Sequence, residues 1–461
     1  MTRPALQLYL TAPVWLQNLL VTAYGLHLRH LRYGRVQRDT LQTLRRSQWN
    51  SPQDLRAMQL AELNRVVRHA RDTVPLYRQR GLPAGPLRRL ESIRDLPLLT
   101  KEDLRQPLEV VTSEAFRGNR LAEIHTGGTT GKPLTIYCDS ATLQRNYAFF
   151  ARFREWAGVS PGARVATFMG RVIVPPEQRR PPFWRRNAAG KTLLFSSYHL
   201  APDTIRAYVD RLVGYQPELI DTYPSSLEPI ARYVKDHGIR GLRPHAVITS
   251  SETLLEPVRR LIEDAFCCRV FDHYGAAEMA ALVTQCEAGS YHLIPEFGIV
   301  ELLREGEPVG PGETGEIVAT GFINPVMPLI RYGTGDAAVW GRGTCRCGRA
   351  FPTLERIEGR MDDVLVTPEG RRIGRLDPIF KSVSSLYETR IVQDQPDHVR
   401  VEVVLNAPMS PAEENTLRYE LGNRLGPHVR IDILRVSRLP RTAAGKLRAV
   451  VNDVTSAQRA D

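Results

Sequence analysis

The sequence lacks the features of several well-defined classes of protein. It has six cysteines in 461 residues, too few for a disulfide scaffold. It contains no tandem repeat, no long low-complexity tract and no interleaved basic and aromatic motif of the kind that binds nucleic acid. No Ser-His-Asp arrangement or paired-carboxylate pattern indicates a hydrolase. These absences argue against a disulfide-rich, repetitive, nucleic-acid-binding or hydrolytic protein.

Charge is also missing from the segment between Pro4 and Gly25. Gln7, Pro13 and Gln17 interrupt its apolar run, no Ala-x-Ala cleavage site follows, and the segment is too polar to span a bilayer. We favour an amphipathic helix docked on its own domain, with peripheral contact to a membrane surface as the alternative. Together with reduced cysteines, this predicts a cytoplasmic protein.

The composition is that of an ordinary soluble enzyme, with 42% hydrophobic and 24% charged residues. The net charge of +12 is compatible with nucleic acid, an anionic membrane surface or an acidic substrate. Because no nucleic-acid motif is present, we favour phosphate-bearing or acidic small molecules as partners.

Hydrophobic periodicity divides the chain into regions. Residues 1–100 are basic and show the apolar spacing of helices. From Ile124 onward strands alternate with helices, with buried strands predicted at Val165–Met169 and Ala246–Ser250, and short strands between Gly-Pro turns follow at about 294–358. In the last hundred residues we predict strands near 390–392, 399–404 and 431–436, with a helix from Pro411 to Leu425 between the last two. We predict an α/β fold with a large N-terminal domain and a small α+β C-terminal domain, made of a helical region 1–100, a substrate-binding core 101–359 and a C-terminal domain 360–461.

A loop of glycines and hydroxyls, from His125 to Pro133, lies between two predicted strands. Glycines expose backbone N–H groups, threonines add donors and Lys132 adds positive charge, which suits a polyphosphate. The spacing is not that of a Walker A loop, and Pro133 prevents the usual following helix. A glycine-rich hairpin turn is the alternative interpretation.

Four further motifs follow this loop along the chain. They are Asp272-His273-Tyr274-Gly275-Ala276-Ala277-Glu278, Arg331-Tyr332-Gly333-Thr334-Gly335-Asp336, Gly359-Arg360-Met361-Asp362-Asp363 and Pro440-Arg441-Thr442-Ala443-Ala444-Gly445-Lys446. The ordered set resembles the adenylate-forming superfamily of acyl-CoA synthetases, and more narrowly its phenylacetate-CoA ligase and CapK-like branch. The resemblance extends from about residue 10 to residue 451.

The resemblance implies a site for ATP. Its loop would clamp the β- and γ-phosphates through Lys132 and through Thr126, Gly127, Gly128, Thr129, Thr130 and Gly131. The adenine and ribose would be bound by residues from three motifs and from a neighbouring segment. These are Tyr274 and Gly275 at the adenine ring, Asp272 at its amino group, Ser251 and Glu252 at its other face, and Asp336 and Arg360 at the ribose.

The resemblance also implies catalytic roles for Lys446, Lys132 and Glu278. Lys446 would bridge the substrate carboxylate and the α-phosphate, as a mobile point charge on a long stem. Glu278 would hold Mg²⁺, a hard cation that prefers oxygen ligands. Asp362 would be the pivot about which a mobile C-terminal domain rotates between two half-reactions.

The implied reaction forms an acyl-adenylate with release of pyrophosphate and then transfers the acyl group. The acceptor is CoA in a phenylacetate-CoA ligase, and an amine or hydroxyl in an amide or ester synthetase that acts on a sugar acid or amino acid. A non-catalytic relative is a third interpretation, although the motif residues are all present. The oligomeric state, including a homodimer, stays open.

An acyl pocket is expected around Tyr223, His273 and Ala276, with His125 beside it. His125 and Arg171, together with a basic substrate-side loop at 183–186, favour a polar or acidic carboxylic acid. A solvated basic loop is the alternative for 183–186.

A second site is suggested by Cys286, His292, Cys345 and Cys347. Three thiolates and one imidazole form a ligand set typical of structural zinc. The relatives often carry such residues at corresponding places, whereas free cysteines packed in the core are the alternative.

Overall fold

The computed structural model describes residues 8–125, 134–169, 172–175, 177–360, 365–368, 372–373, 383, 385–426, 428–441 and 447–454. Its helices are α1 (Val14–Arg32), α2 (Arg35–Ser47), α3 (Pro52–Thr73), α4 (Pro75–Gln79), α5 (Leu108–Val111), α6 (Ser140–Trp156), α7 (Ile205–Tyr215), α8 (Pro224–Asp236), α9 (Glu256–Phe266) and α10 (Pro411–Leu425).

Most of the strands belong to the region before residue 361. They are β1 (Ala122–His125), β2 (Thr135–Cys138), β3 (Val165–Met169), β4 (Trp184–Asn187), β5 (Thr192–Ser196), β6 (Leu219–Thr222), β7 (Ala246–Ser250), β8 (Arg269–Gly275), β9 (Leu282–Gln285), β10 (Tyr291–Leu293), β11 (Gly298–Arg304), β12 (Glu307–Pro308), β13 (Thr314–Gly321), β14 (Tyr332–Trp340) and β15 (Thr353–Arg360). The remaining ones are β16 (Leu365–Val366), β17 (Arg372–Ile373), β18 (Leu386–Gln395), β19 (His398–Leu405), β20 (Arg430–Arg435) and β21 (Val450–Asn452).

A 13-stranded sheet forms the centre of the fold, in the order β12-β11-β13-β14-β15-β10-β9-β8-β7-β6-β3-β5-β4. Strands β5, β3, β6, β7 and β8 pair in parallel, and antiparallel strands extend the sheet on both sides. Every residue of β7 is buried, as expected for a parallel strand covered on both faces. The predicted α/β fold is confirmed, and the β-rich segment is continuous with the same sheet.

Alternate residues of the parallel strands pack against opposite helical layers. Ile220, Val247 and Val270 belong to the apolar core that also contains residues of α7, α8 and α9. Their chain neighbours Ile248 and Phe271 belong to the core on the α6 side of the sheet. This period of two follows from strand geometry, and it determines which side chains can meet at each face.

Residues beyond 364 form a separate sheet with its own core. The four strands lie in the order β20-β19-β18-β21, and α10 covers them through Leu417, Leu421 and Leu425. Helix α10 begins with a capping box in which Ser410 and Glu413 satisfy each other's backbone N–H groups. The predicted helix from Pro411 to Leu425 and the strands around it are confirmed.

The N-terminal region is helical, as predicted. Ser51 caps α3 by accepting a hydrogen bond from the Asp54 N–H at 3.1 Å. No helix within the described residues combines the length and apolar character that crossing a bilayer requires.

The interpretation of residues 183–186 as a loop is wrong. They lie in or beside β4, which pairs with β5, and Phe183 is buried. Arg185 is also buried, because its guanidinium donates hydrogen bonds to Gln17 and to the carbonyl oxygens of Pro182 and Trp184. A buried arginine surrounded by acceptors is a structural residue, and it is not available to an acyl substrate.

Candidate functional site

The carboxyl ends of the parallel strands bring several predicted site residues to one edge of the sheet. Tyr223 follows β6, Ser251 follows β7, and Tyr274 lies near the end of β8. These strands are neighbours, and Ser250 is paired with His273 across β7 and β8. In open α/β sheets this edge is where ligands bind. Ser251 has a left-handed backbone with φ of 70°, which turns the chain sharply there.

Asp272 is buried, and both of its carboxylate oxygens are held by the protein. The hydroxyls of Thr249 and Tyr291 donate to them at 2.7 Å each. Burial raises the pKa of Asp272 to about 6, although these two hydrogen bonds oppose the shift. The carboxylate therefore anchors β8 to β7 and β10, and its contact with adenine stays a prediction.

Tyr274 and Asp336 meet across the sheet, although they belong to different motifs. The Tyr274 hydroxyl donates a hydrogen bond to Asp336 Oδ2 at 2.7 Å, and burial raises the pKa of Tyr274 well above its usual value. The Thr334 hydroxyl accepts from the Asp336 N–H at 3.1 Å. Asp336 is the register partner of Arg360 on β15, whose side chain lies outside the described residues. Backbone pairing thus brings both predicted ribose residues together.

Glu278 lies just beyond β8, in a buried position. The hydroxyl of Tyr332 donates to Glu278 Oε1 at 3.1 Å, which orients the carboxylate. Met279 has a left-handed backbone with φ of 56° and directs the chain into β9. A carboxylate oriented by a neighbouring hydroxyl is a suitable ligand for a hard cation.

Glu252 connects the core to the C-terminal region. Its carboxylate accepts hydrogen bonds from the Ser225 N–H at 3.0 Å and from the Ser225 hydroxyl at 2.9 Å, in the first turn of α8. An acidic group is favourable at a helix N-terminus. The Leu447 N–H also donates to Glu252 Oε1, at 3.3 Å. Desolvation raises the pKa of Glu252, and the hydrogen bonds from Ser225 oppose the shift.

The segment beside Leu447 belongs to the last predicted motif. Arg441 and Leu447 form an isolated antiparallel bridge, and Arg441 is paired with the buried Glu388 of β18. Burial raises the pKa of Glu388, and the guanidinium of Arg441 lowers it. This pair holds the ends of the motif close to Glu252.

The expected acyl-pocket residues lie at or after the ends of β6 and β8 and at the end of β1. His273 on β8 lies against the rings of Phe150 and Phe153, with centroids 5.2 and 5.4 Å away. Burial lowers the pKa of His273 to about 4, so the ring is neutral near pH 7, and its buried Nδ1 contacts no hydrogen-bond partner in the described part of the chain. Tyr223 is buried at the end of β6, and Ala276 follows β8. His125 is exposed on the β1–β2 hairpin, where its Nδ1 lies 3.0 Å from the Thr135 hydroxyl.

The four predicted zinc ligands converge, although up to 61 positions separate them in the sequence. The ligand atoms of Cys286, His292, Cys345 and Cys347 all lie within 4.8 Å of one another. The two sulfurs of Cys286 and Cys345 are 3.6 Å apart, and Cys347 Sγ lies 3.4 Å from His292 Nε2. Zinc bonds of about 2.3 Å to sulfur and 2.0 Å to nitrogen give tetrahedral edges of roughly 3.5 to 3.8 Å. The donor set and its spacing fit zinc.

The surroundings of this cluster also suit a metal. His292 Nδ1 lies 3.3 Å from the Phe351 carbonyl, which leaves Nε2 for the metal. The N–H groups of Ala288 and Cys347 donate to the sulfurs of Cys286 and Cys345 at 3.3 and 3.4 Å. Such hydrogen bonds stabilise thiolate charge.

Aromatic and charged side chains join the cluster to the N-terminal helices. The guanidinium of Arg349 stacks 4.2 Å from the ring centroid of Trp156 and pairs with Glu287 at 2.8 Å. Gln48 accepts hydrogen bonds from the Trp156 indole and from Arg349 at 2.8 and 3.1 Å. The segment that carries Cys345 and Cys347 is therefore packed against α6 and the end of α2.

Some predicted residues lie outside the described residues. They are the phosphate loop Thr126, Gly127, Gly128, Thr129, Thr130, Gly131 and Lys132, and also Arg171, Asp362 and Lys446. Their roles stay predictions, although Leu447 places the chain directly after Lys446 at Glu252.

Sequence reasoning missed several residues that position the site. Tyr332 orients Glu278, Ser225 and Leu447 bind Glu252, and Tyr291 binds Asp272. Tyr332 belongs to a quoted motif, so its place there was a usable signal. Tyr291 had no comparable signal, because only the pairing of β10 with β9 brings it near β8.

Comparisons with known proteins agree with this geometry. A model of the CapK C-terminal domain family matches residues 365–453. The chain is 27% identical to Protein CapK of Staphylococcus aureus over 456 residues, which cover 97% of this chain and 99% of that protein. It is 25% identical to a phenylacetate-coenzyme A ligase of Thermus thermophilus over 438 residues, covering 86% and 96% of the two chains.

Solved structures show the same fold. A 2-hydroxyisobutyryl-CoA ligase in its postadenylation state, in complex with R3-HIB-AMP, matches with a TM-score of 0.67 and 21% identity, over 87% of this chain and 90% of that one. The same ligase in its thioesterification state matches with a TM-score of 0.54 and 20% identity, over 90% and 94% of the chains. The fold is that of this adenylate-forming CoA ligase. Within that class, the chain is a relative of CapK and of the phenylacetate-CoA ligases.

Proposed function

We propose that this protein activates a carboxylic acid as an acyl-adenylate and then transfers the acyl group to CoA. The observation that carries the proposal is that residues of separate motifs meet at one edge of the sheet. Tyr274, near the end of β8, binds Asp336, and Glu278 follows β8. Leu447, which follows Lys446, binds Glu252 just beyond the end of the neighbouring strand β7. The relatives named phenylacetate-coenzyme A ligase support the same reaction.

The reaction has two balanced steps. In the first, a carboxylate oxygen of the acid attacks the α-phosphorus of ATP, and pyrophosphate leaves. In the second, the sulfur of CoA attacks the acyl carbonyl carbon, the thiol loses its proton, and AMP leaves. The first step brings two anions together, so cationic groups such as Lys132 and Lys446 would lower its barrier.

Magnesium fits the Glu278 carboxylate. Mg²⁺ prefers oxygen ligands, and the Tyr332 hydroxyl already orients Glu278 Oε1. The bound ion would neutralise phosphate charge on ATP. The protein's own part is to hold the carboxylate in a buried position and to keep water away from it.

Residues 1–359 would bind the substrates, and residues 360–461 would rotate about Asp362 between the two steps. Two observations support this division. The apolar core formed by Leu365, Val401 and Leu421 contains only residues beyond position 364, and these residues have their own sheet. Hinge motion of this kind changes which groups face the reacting atoms.

The second candidate is an adenylate-forming synthetase that transfers a sugar acid or an amino acid to an amine or hydroxyl. One observation favours it. The neutral ring of His273 has a buried Nδ1 that contacts no partner within the described residues, and such an atom prefers a polar substrate group.

Pyrophosphate release from ATP tests both candidates. Aryl acetates, amino acids and uronic acids would be supplied in turn, with and without CoA. Release with an aryl acid that increases with CoA supports the ligase. Release with a polar acid that is indifferent to CoA supports the synthetase, and consumption of an added amine would confirm it. ATP binding without release from any acid would contradict both.

Replacement of Asp336 by alanine is expected to raise the ATP concentration needed for half-maximal pyrophosphate release by roughly 10-fold to 100-fold. Hydrogen bonds to a charged group contribute about 1.5–3 kcal/mol each, and the variant would lose those to the ribose. Tyr274→Phe is the matched control, because it keeps the ring and removes only the hydroxyl that reaches Asp336. An unchanged ATP dependence in Asp336→Ala would remove this residue from the nucleotide site.

We also propose a structural zinc ion at Cys286, His292, Cys345 and Cys347. It would fasten β9, β10 and the segment before β15, and it would take no part in the chemistry. The three cysteine ligands are free thiols, since Cys286, Cys345 and Cys347 form no disulfide. Together these features support a cytoplasmic location.

Metal analysis of protein purified without chelator should find about one equivalent of zinc. Cys347→Ser is expected to lose the metal and to lower the free energy of unfolding by more than about 3 kcal/mol. Cys267→Ser is the control, because Cys267 is exposed and lies outside the cluster. A metal-free preparation that melts at the same temperature as the metal-bound protein would contradict the zinc proposal.

A further inference from the structure

Helix α1 is docked on the protein through polar side chains. Gln17 is buried and donates to the carbonyl oxygens of Tyr9 and Ala12 at 3.0 Å each. Asn18 accepts a hydrogen bond from the Arg186 N–H of β4 at 2.8 Å, and Thr22 accepts one from the Ala188 N–H at 3.1 Å. Val14, Val21 and Leu28 are only partly exposed, so the side of α1 that packs on the protein carries both polar and apolar residues.

Several large apolar residues of α1 face away from the protein. Trp15 is 68% exposed, Leu19 is 59% exposed and Leu26 is 52% exposed. Their spacing of four and seven positions places them along one line of a helix, which we call the apolar stripe. Leu8, in the short helical segment before α1, is also exposed, whereas the exposed Tyr24 lies on the other side of the helix. An exposed continuous stripe of this kind marks a surface that binds something.

Along the sequence, the charged residues that follow the apolar stripe are basic before the first acidic one occurs. The first acidic residue of the sequence is Asp39. Arg29 is exposed in the last turn of α1, and Arg35 and Arg38 follow in α2. Arg35 pairs with Asp39 at 3.5 Å but remains 89% exposed. A basic rim beside an apolar stripe is complementary to a surface that is anionic outside and apolar beneath.

We propose that the apolar stripe binds the surface of an anionic membrane, with α1 lying in the plane of the headgroups. Leu19 and Leu26 would enter the acyl boundary, Trp15 would lie at the headgroup level, and the arginines would pair with lipid phosphates. This combination favours a lipid surface over a protein partner, because a protein would need acidic residues matched to each arginine.

Flotation with vesicles tests the proposal on the full chain. One set of vesicles contains phosphatidylcholine alone, and the other contains phosphatidylcholine and phosphatidylglycerol. We expect binding to the anionic vesicles and a decrease at 1 M salt, because the Debye length falls from about 10 Å to about 3 Å. The double variant L19D/L26D should bind at least about tenfold more weakly, because charged side chains would replace the inserted leucines.

Two other variants separate the apolar and electrostatic parts. Y419D/L434D is the matched control, because these residues are 68% and 43% exposed outside the stripe, and it should bind like the original chain. R35E/R38E should lose the preference for anionic vesicles and keep the stripe. All variants should keep their melting temperature, since the changed side chains are exposed or partly exposed.

Three results would overturn the proposal. They are an absence of binding to anionic vesicles, equal binding by L19D/L26D and the original chain, and self-association that depends on the stripe without vesicle binding. The last result would assign the stripe to a second copy of the chain.

Discussion

Lys446→Ala is expected to slow pyrophosphate release from acid and ATP by about a hundredfold to a thousandfold. The lysine would bridge the substrate carboxylate and the α-phosphate, where negative charge accumulates during attack. Leu447 supports this position, because its N–H is bound to Glu252 at the strand edge. Reaction of a supplied acyl-adenylate with CoA should be almost unchanged, since the lysine would leave the site before that step.

The comparison of the two half-reactions is the decisive measurement for Lys446. Each rate would be measured on purified, folded variant, and Lys235→Ala would serve as control because Lys235 lies on the surface beside Asp264. Equal loss of both half-reactions in a folded variant would show that the lysine does not act in the first step alone, and the proposed domain rotation would be wrong.

Glu278→Gln is expected to reduce pyrophosphate release by about a hundredfold at fixed magnesium. The amide keeps the size of the side chain and can still accept from Tyr332, so the fold should persist. It lacks the negative charge that binds a hard cation. Higher magnesium should therefore recover part of the rate, and the magnesium concentration for half-maximal rate should increase.

Magnesium titrations distinguish this role from a merely structural one. Glu256→Gln is the control, since Glu256 is an exposed carboxylate in the first turn of α9. If Glu278→Gln has the magnesium dependence of the unchanged protein, then Glu278 is not a ligand of the ion.

The sequence predicted the central strands well because parallel strands are short apolar runs. Val165–Met169 and Ala246–Ser250 were expected as strands and are β3 and β7. Pro411–Leu425 was expected as a helix because capping residues precede an apolar repeat, and it is α10. These elements depend on local signals, which tertiary contacts reinforce.

Prediction failed where a contact with a residue distant in the sequence determines whether a polar side chain is buried or exposed. Arg185 was interpreted as part of a basic loop, because arginine is usually exposed. Its burial depends on Gln17, which lies 168 positions earlier in the sequence. The polar part of the contact between α1 and β4 has the same origin, since Asn18 accepts a hydrogen bond from the backbone of β4.

For the candidate site, the sequence predicted which residues take part but not which of them contact one another. Motif order indicated Tyr274 and Asp336, but their direct hydrogen bond depends on how β8 and β14 are placed within one sheet. The zinc ligands were recognised by residue type, whereas their convergence depends on the β9–β10 hairpin meeting the segment before β15. Sequence patterns indicate which side chains take part in a site, and the order of strands in the sheet determines which of them are in contact.

Glu252 accepts hydrogen bonds both from Ser225, beside the expected acyl pocket, and from Leu447 in the C-terminal region. The structure at Ser225 is therefore independent of the position of the C-terminal region. The hydrogen bond from the Leu447 N–H to Glu252 contributes about 1.5–3 kcal/mol, so thermal motion can break it on the timescale of turnover. The two hydrogen bonds from Ser225 to Glu252 do not depend on Leu447, so the first turn of α8 stays capped when the bond from Leu447 breaks. The acyl-adenylate formed in the first half-reaction would therefore stay bound in an unchanged pocket while the C-terminal domain rotates for the second.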